Sequence, residues 1–169
     1  MTRASHLAGR FFASLRPRAV HDADRAWVQL VLTPSELAVW ETFARADRAE
    51  SVEVARRAAR ALGPDVDPRW LAAALLHDVG KIDAGLGTVT RAGATVIAAV
   101  VSHGRARRWP NGIGRYIAHD DAGAVRLSAA GARPAVVAWA RAHHRREQWP
   151  ATGIPPEICE ILATADGEQ

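Results

Sequence analysis

The sequence predicts an all-α protein, a compact bundle of short helices. Three observations carry that expectation. Every long segment repeats its apolar residues at helical spacing, and none sustains the apolar/polar alternation of a half-buried strand. Capping residues followed by proline open successive segments, as in Thr33-Pro34-Ser35-Glu36 and Asp67-Pro68. Alanine is abundant within the apolar stripes, which lets helices approach closely. The 169 residues, 49% of them hydrophobic, suffice for one buried core, and neither a repeat nor a linker divides the chain.

The elements follow in order. Residues 1–32 read as a basic N-terminal leader or helix, with Arg3, Arg10, Arg16 and Arg18 set around Leu7, Phe11, Phe12 and Leu15. Its apolar core is too broken for a secretory signal. A loosely docked leader is expected, with attachment to a membrane surface or partner as the other reading. The helical domain is placed over residues 33–169. There Thr33 caps a helix, Pro34 occupies its first turn and Glu36 reaches back as a capping-box partner. Leu37, Trp40, Phe43 and Ala44 form its stripe.

Asp47 is expected to cap the next helix, with Val52, Ala55, Ala59 and Leu62 facing inward until Gly63-Pro64 stops it. Glu50 would then lie in the first turn, where the helix dipole favours a negative charge. Asp67-Pro68 opens a helix carrying Trp70, Leu71, Ala74 and Leu75. Thr88 or Thr90 starts another, with Val96, Ile97, Val100 and Val101. A basic loop from Gly104 to Gly112 follows, in which Arg105, Arg107 and Arg108 neighbour Trp109. Short helices over Ile113–His119 and Asp121–Ala130, a longer one over Pro134–Arg146, a polar loop, and a last helix over Pro156–Asp166 complete the chain.

The formal net charge is +4, so the surface favours small anions and gives no strong nucleic-acid signal. A single cysteine, Cys159, permits no intramolecular disulfide, and a reducing, cytoplasmic compartment is the default expectation. The longest apolar run, Thr95 to Val101, falls far short of the ~20 residues a transmembrane helix needs. Covalent-nucleophile chemistry has little support. Cys159 has no histidine beside it in sequence, and no glycine-rich elbow carries a serine.

Chemistry concentrates where an aliphatic helix ends in polar residues, at Ala73-Ala74-Leu75-Leu76-His77-Asp78-Val79-Gly80-Lys81. Burying an imidazole and a carboxylate at the end of such a run is unfavourable unless something satisfies them, and a divalent metal takes both kinds of ligand. Gly80 is expected to let the chain turn away from the helix, and Lys81 to set a positive charge beside the site for an anion. His119, the pair His143-His144 and Asp166 likewise come at the ends of aliphatic segments.

These elements resemble the HD-domain metal-dependent phosphohydrolase superfamily, from about Asp47 to Asp166. The layout is closest to the branch with the HD-GYP phosphodiesterases, whose order is HDxGK, HxxxG, a His-His pair and an Ala-Asp end. Here these read His77 to Lys81, His119 to Gly123, His143-His144 and Ala165-Asp166. The resemblance implies a compact HD-type helical bundle. It also implies metal ligands at His77, Asp78 and Asp166, with His119, His143 and His144 holding a second ion or the substrate phosphate. Asp78, Lys81 and His143 are the implied catalytic residues, and Lys81 also binds substrate.

Two departures stand out. The family's first ligand is a histidine in a His-Ser-x-x-Val-Ala setting, whereas this chain reads Glu50-Ser51-Val52-Glu53-Val54-Ala55. Either Glu50 ligates metal as a harder donor, or the site has decayed. The Gly-Tyr-Pro signature is also absent, since the chain after the histidine pair reads Gln148-Trp149-Pro150-Ala151-Thr152-Gly153-Ile154-Pro155. That argues against the cyclic di-GMP specificity associated with it. The resemblance thus implies one or two divalent ions (Mn, Fe, Co, Ni, Zn or Mg) activating a water to hydrolyse a small phosphorylated substrate such as a nucleotide or dinucleotide. The alternative is a catalytically degenerate HD-fold module that binds a nucleotide or a regulatory protein. The sequence leaves the oligomeric state open.

Overall fold

The computed structural model describes residues 20–84 and 119–167, and every regular element among them is helical. The elements are α1 (Asp22–Val31), α2 (Pro34–Trp40), α3 (Arg45–Leu62), α4 (Pro68–Leu76), a 3₁₀ turn (Val79–Ala84), α5 (His119–Ala129), α6 (Pro134–Ala142), a second 3₁₀ turn (Arg146–Thr152) and α7 (Pro156–Asp166). The all-α expectation holds. The leader up to residue 19, the helix expected from Thr88 or Thr90, the basic loop and the helix expected from Ile113 to residue 118 lie outside the described residues.

Helix α4 is the axis of the molecule. Every residue from Trp70 to Leu76 is buried, and a helix apolar on all sides must be enclosed by others. Helices α1, α2, α3, α6 and α7 all pack against it. Asp67 caps it by accepting from the Arg69 amide, and proline fills its first turn. This axis delivers His77 and Asp78 into the middle of the bundle.

Helix α1 shares the same core, because Val28 and Val31 are buried in it. Arg56 of α3 bonds Asp24 at 2.9 Å and stacks on Trp27, 3.8 Å from the ring centroid. Residues 22–31 therefore pack into the same core as the helices that follow them. No helix among the described residues is long and apolar enough to cross a membrane.

Other boundaries shift for local reasons. Helix α3 begins at Arg45 after Ala44, without a side-chain cap, so Asp47 sits inside its first turn and Glu50 lies beyond that turn. Where the described residues resume, His119 and Asp120 are already helical, ahead of the start expected at Asp121. Helix α6 stops at Ala142, and the expected polar loop contains a 3₁₀ turn. Trp149 causes this difference. It is buried against Trp139 with ring centroids 5.6 Å apart, and its Nε1 donates to the Ala142 carbonyl at 3.1 Å.

The capping box of α2 forms as expected, and Glu36 does more than cap. Its carboxylate is fully buried. It accepts from the Thr33 amide at 3.0 Å, the Arg133 amide at 3.0 Å, and Arg133 Nε and NH2 at 3.0 and 2.6 Å. Arg133 is the N-cap residue of α6, so one carboxylate fastens the starts of two helices. Burial alone would raise its pKa, but the bonds and charge of Arg133 hold it below the usual value.

A depressed carboxyl contributes stability above its unfolded pKa and loses that contribution as pH falls through the lower folded value. Glu36→Gln is accordingly expected to destabilise the protein by roughly 3–5 kcal/mol at neutral pH, the cost of breaking a buried ion pair. Urea denaturation should show the deficit shrinking below pH ~4.3, where an ordinary glutamate is protonated. A deficit that does not change with pH would count against this role.

Candidate metal centre

Two helices deliver histidine by the same local device. His77 is the C-cap of α4 and His143 the C-cap of α6. Each follows a nine-residue helix that begins with proline. The last carbonyls of a helix lack intrahelical donors, and these histidines use them. His77 Nδ1 donates to the Ala74 carbonyl at 2.9 Å, and His143 Nδ1 to that of Ala140 at 3.0 Å. With Nδ1 so engaged, Nε2 turns toward the centre, the usual orientation of a histidine prepared for metal.

Asp78 lies between them, and its two oxygens face different groups. Oδ2 meets His77 Nε2 at 3.3 Å and forms a close ion pair with the Lys81 ammonium. Oδ1 meets His119 Nε2 at 3.1 Å and His143 Nε2 at 3.8 Å. Asp166, the last residue of α7, closes the first side with Oδ1 3.2 Å from His77 Nε2. Arg57 of α3 holds that helix end by donating to the Ala165 carbonyl at 2.6 Å. His144 stacks on His143 with ring centroids 3.9 Å apart and lies 5.2 Å from the His119 ring.

Asp78, His119, His143 and His144 each offer a ligand atom, and these atoms lie within 4.8 Å of one another. A crevice too narrow for a water molecule lies beside His77, His143 and Asp166.

Charges are arranged unevenly across this centre. Burial disfavours protonation of His77, yet the carboxylates of Asp78 and Asp166 raise its pKa well above the usual histidine value. Burial disfavours ionised Asp78, but Lys81 and His77 lead the groups that hold it well below the usual range. Asp166 is depressed too, against burial, chiefly by His77. His143 goes the other way. Burial, helped by the nearby His144 and His77, pushes it to about 4, so it is a neutral imidazole at pH 7.

The donors fit a divalent ion. Nε2 of His77, Nε2 of His143 and Oδ1 of Asp78 are buried with no well-directed hydrogen bond, facing only one another's rings and carboxylates, and buried polar groups left so are costly unless something else satisfies them. Nitrogen and carboxylate oxygen together suit Mn, Fe, Co, Ni or Zn.

Two glycines and an ion pair hold His119 in place. An added Cβ on Gly80 would fall 1.8 Å from the His119 carbonyl oxygen. A Cβ on Gly123 would fall 3.0 Å from the Gly80 nitrogen and 3.0 Å from Val79 Cγ1. The turn after Asp78 thus lies backbone to backbone on α5. Gly80 is not among the glycines of positive φ, which among the described residues are Gly63, Gly131, Gly153 and Gly167. It is required for space, not for the change of direction expected of it.

Asp120, buried beside His119, takes Arg145 Nε and NH2 at 2.9 and 2.5 Å, and Asp121 takes NH2 at 2.8 Å. Arg145 follows the histidine pair directly, so this pair fastens one histidine element to the other. It was not foreseen, although an acid just after His119 and a base just after His144 are its sequence signal.

The structure therefore brings together His77, Asp78, Lys81, His119, His143, His144 and Asp166. Glu50 stands apart from them. It is exposed on α3, and its carboxylate is not among the clustered ligand atoms.

The helix ends of this bundle converge histidine and aspartate on one buried centre that could hold a metal ion. The HD domain model matches residues 49–168, and the chain belongs to the HD domain family, generally one of metal-dependent phosphohydrolases. No match was found among curated proteins or among solved structures.

Proposed function

We propose that this chain is a metal-dependent phosphohydrolase acting on a nucleotide, dinucleotide or related phosphoester. The observation that carries the reading is the convergence of inward-turned imidazole nitrogens on Asp78, with the Lys81 ammonium beside them. A bound ion there would supply a water acidic enough to be hydroxide near neutral pH and would polarise a phosphoryl oxygen.

The residues divide the remaining work. Asp78, held ionised, would orient the attacking water. Lys81 has a flexible stem and a positive head, which suits it to the negative charge of a phosphate in the transition state. His143 was expected to help carry that charge. As a neutral imidazole fixed by the Ala140 carbonyl, it serves better as a ligand. Asp166 holds His77 in position from α7.

The test is hydrolysis of p-nitrophenyl phosphate, bis(p-nitrophenyl) phosphate and a nucleotide panel by protein purified without chelator, with Mn, Co, Ni, Fe, Zn or Mg added in turn. Turnover that needs a divalent ion is expected. Glu50 standing outside the cluster favours the degenerate binding module as the second reading. That reading gains if nucleotides raise the melting temperature while no substrate is turned over under any ion.

A further inference from the structure

His77 and His143 are each aimed by a carbonyl of their own helix. His144 is placed differently. Helix α6 ends at Ala142, so His144 lies in the turn beyond it, where the helix no longer fixes the chain. The next residue, Arg145, sends its side chain across to the start of α5. Its Nε and NH2 reach one oxygen of Asp120 at 2.9 and 2.5 Å, and the other oxygen of Asp120 accepts the Asp121 amide at 2.9 Å. From the far side, NH1 donates to Gln148 in the second 3₁₀ turn at 3.3 Å. Asp120 is 2% exposed and the Arg145 side chain 21%, so solvent ions screen this pair little.

We infer, building on the metal-enzyme reading, that Arg145 is a positioning residue. By holding Asp120 it fixes the separation of His119 and His144, and with it the affinity of the centre for a divalent ion.

Each charge is joined to its histidine by a single peptide unit, Asp120 to His119 and Arg145 to His144. That unit is planar and stiff, so a shift of the ion pair is passed to both imidazoles, whose ring centroids are 5.2 Å apart. Metal–ligand distances hold within about 0.2 Å, which makes affinity sensitive to a displacement that packing would absorb. The helices themselves have other anchors. Leu127 of α5 and Val136 and Trp139 of α6 are buried in the common core. Loss of the pair therefore loosens the two ends that carry the histidines and leaves the bundle in place.

The experiment is calorimetric titration of the full chain with Mn²⁺ and with Zn²⁺, alongside thermal melts. Arg145→Met and Asp120→Asn should each weaken binding ~10–100-fold, the usual cost of removing a group that supports a ligand. Arg145→Met also leaves the Asp120 charge buried and unpaired, which lowers stability. The double variant Arg145→Met/Asp120→Asn removes both charges and separates the two effects. Its melting temperature should return toward that of the wild type, while its affinity stays as low as in the weaker-binding single variant. Recovery of affinity together with stability would make Arg145 only a counter-charge for Asp120 and overturn the inference. Wild-type affinity in Arg145→Met would overturn it as well, with the metal-enzyme reading intact. A wild type that binds neither ion would overturn that reading too.

Discussion

Replacing Asp78 with asparagine is expected to remove metal binding and hydrolysis together while the fold survives. Asparagine keeps the shape of the side chain and removes its charge. Both halves of the centre depend on that charge, since Oδ1 faces His119 and His143 while Oδ2 faces His77 and Lys81. Loss of one well-placed electrostatic contact costs an enzyme about 10²–10³-fold in kcat. Asp78 makes several, so a fall of at least ~10³-fold is expected, with metal content dropping in step. The elements that build the core do not rest on Asp78, and circular dichroism should show wild-type helix content. Normal metal content with lost turnover would make Asp78 a substrate contact instead.

The second large effect needs no change in any ligand. Gly80→Ala would place a methyl group 1.8 Å from the His119 carbonyl oxygen, far inside van der Waals contact. The clash is with backbone, so no rotamer can relieve it and α5 must move as a unit. Overpacking of a core costs about 1–3 kcal/mol and occasionally more, and this contact belongs at or above the top of that range. His119 would move with α5 and leave Asp78 Oδ1, so metal affinity should fall as well. Gly123→Ala meets its nearest atoms at 3.0 Å, one of them the side-chain carbon of Val79, and should cost less. Thermal melts and metal titrations of the two variants should rank Gly80 well above Gly123. Equal effects would mean that space at the helix contact is not what these glycines provide.

Much of this was legible because its signals are local. Thr33-Pro34-Ser35-Glu36 spells a capping box, and the box forms. Pro68 to Leu76 is apolar at almost every position, which suits only an enclosed helix, and α4 is enclosed. Histidine or aspartate at the end of an apolar segment is expensive without a purpose, so His77, Asp78, His119, His143, His144 and Asp166 could be singled out without coordinates.

What escaped notice depends on relations between distant segments. Glu36 reads as a cap, but its bonds to Arg133 link residues 97 positions apart. Gly80 reads as a turn residue until α5 is laid against it. The position of Glu50 depends on the rotation of α3. Ser51, one residue on, is pinned by Trp40 Nε1 at 2.9 Å and donates to the Arg48 carbonyl at 2.9 Å. That rotation leaves Glu50 facing solvent, and no motif of six residues encodes it.

The central claim is that the imidazoles converging on Asp78 are a metal site. Anomalous diffraction measured across the absorption edge of the metal found in protein purified without chelator tests it most directly. A peak among Asp78, His119, His143 and His144 is the expected result. A well-ordered crystal of folded protein with no anomalous peak at that cluster would contradict it.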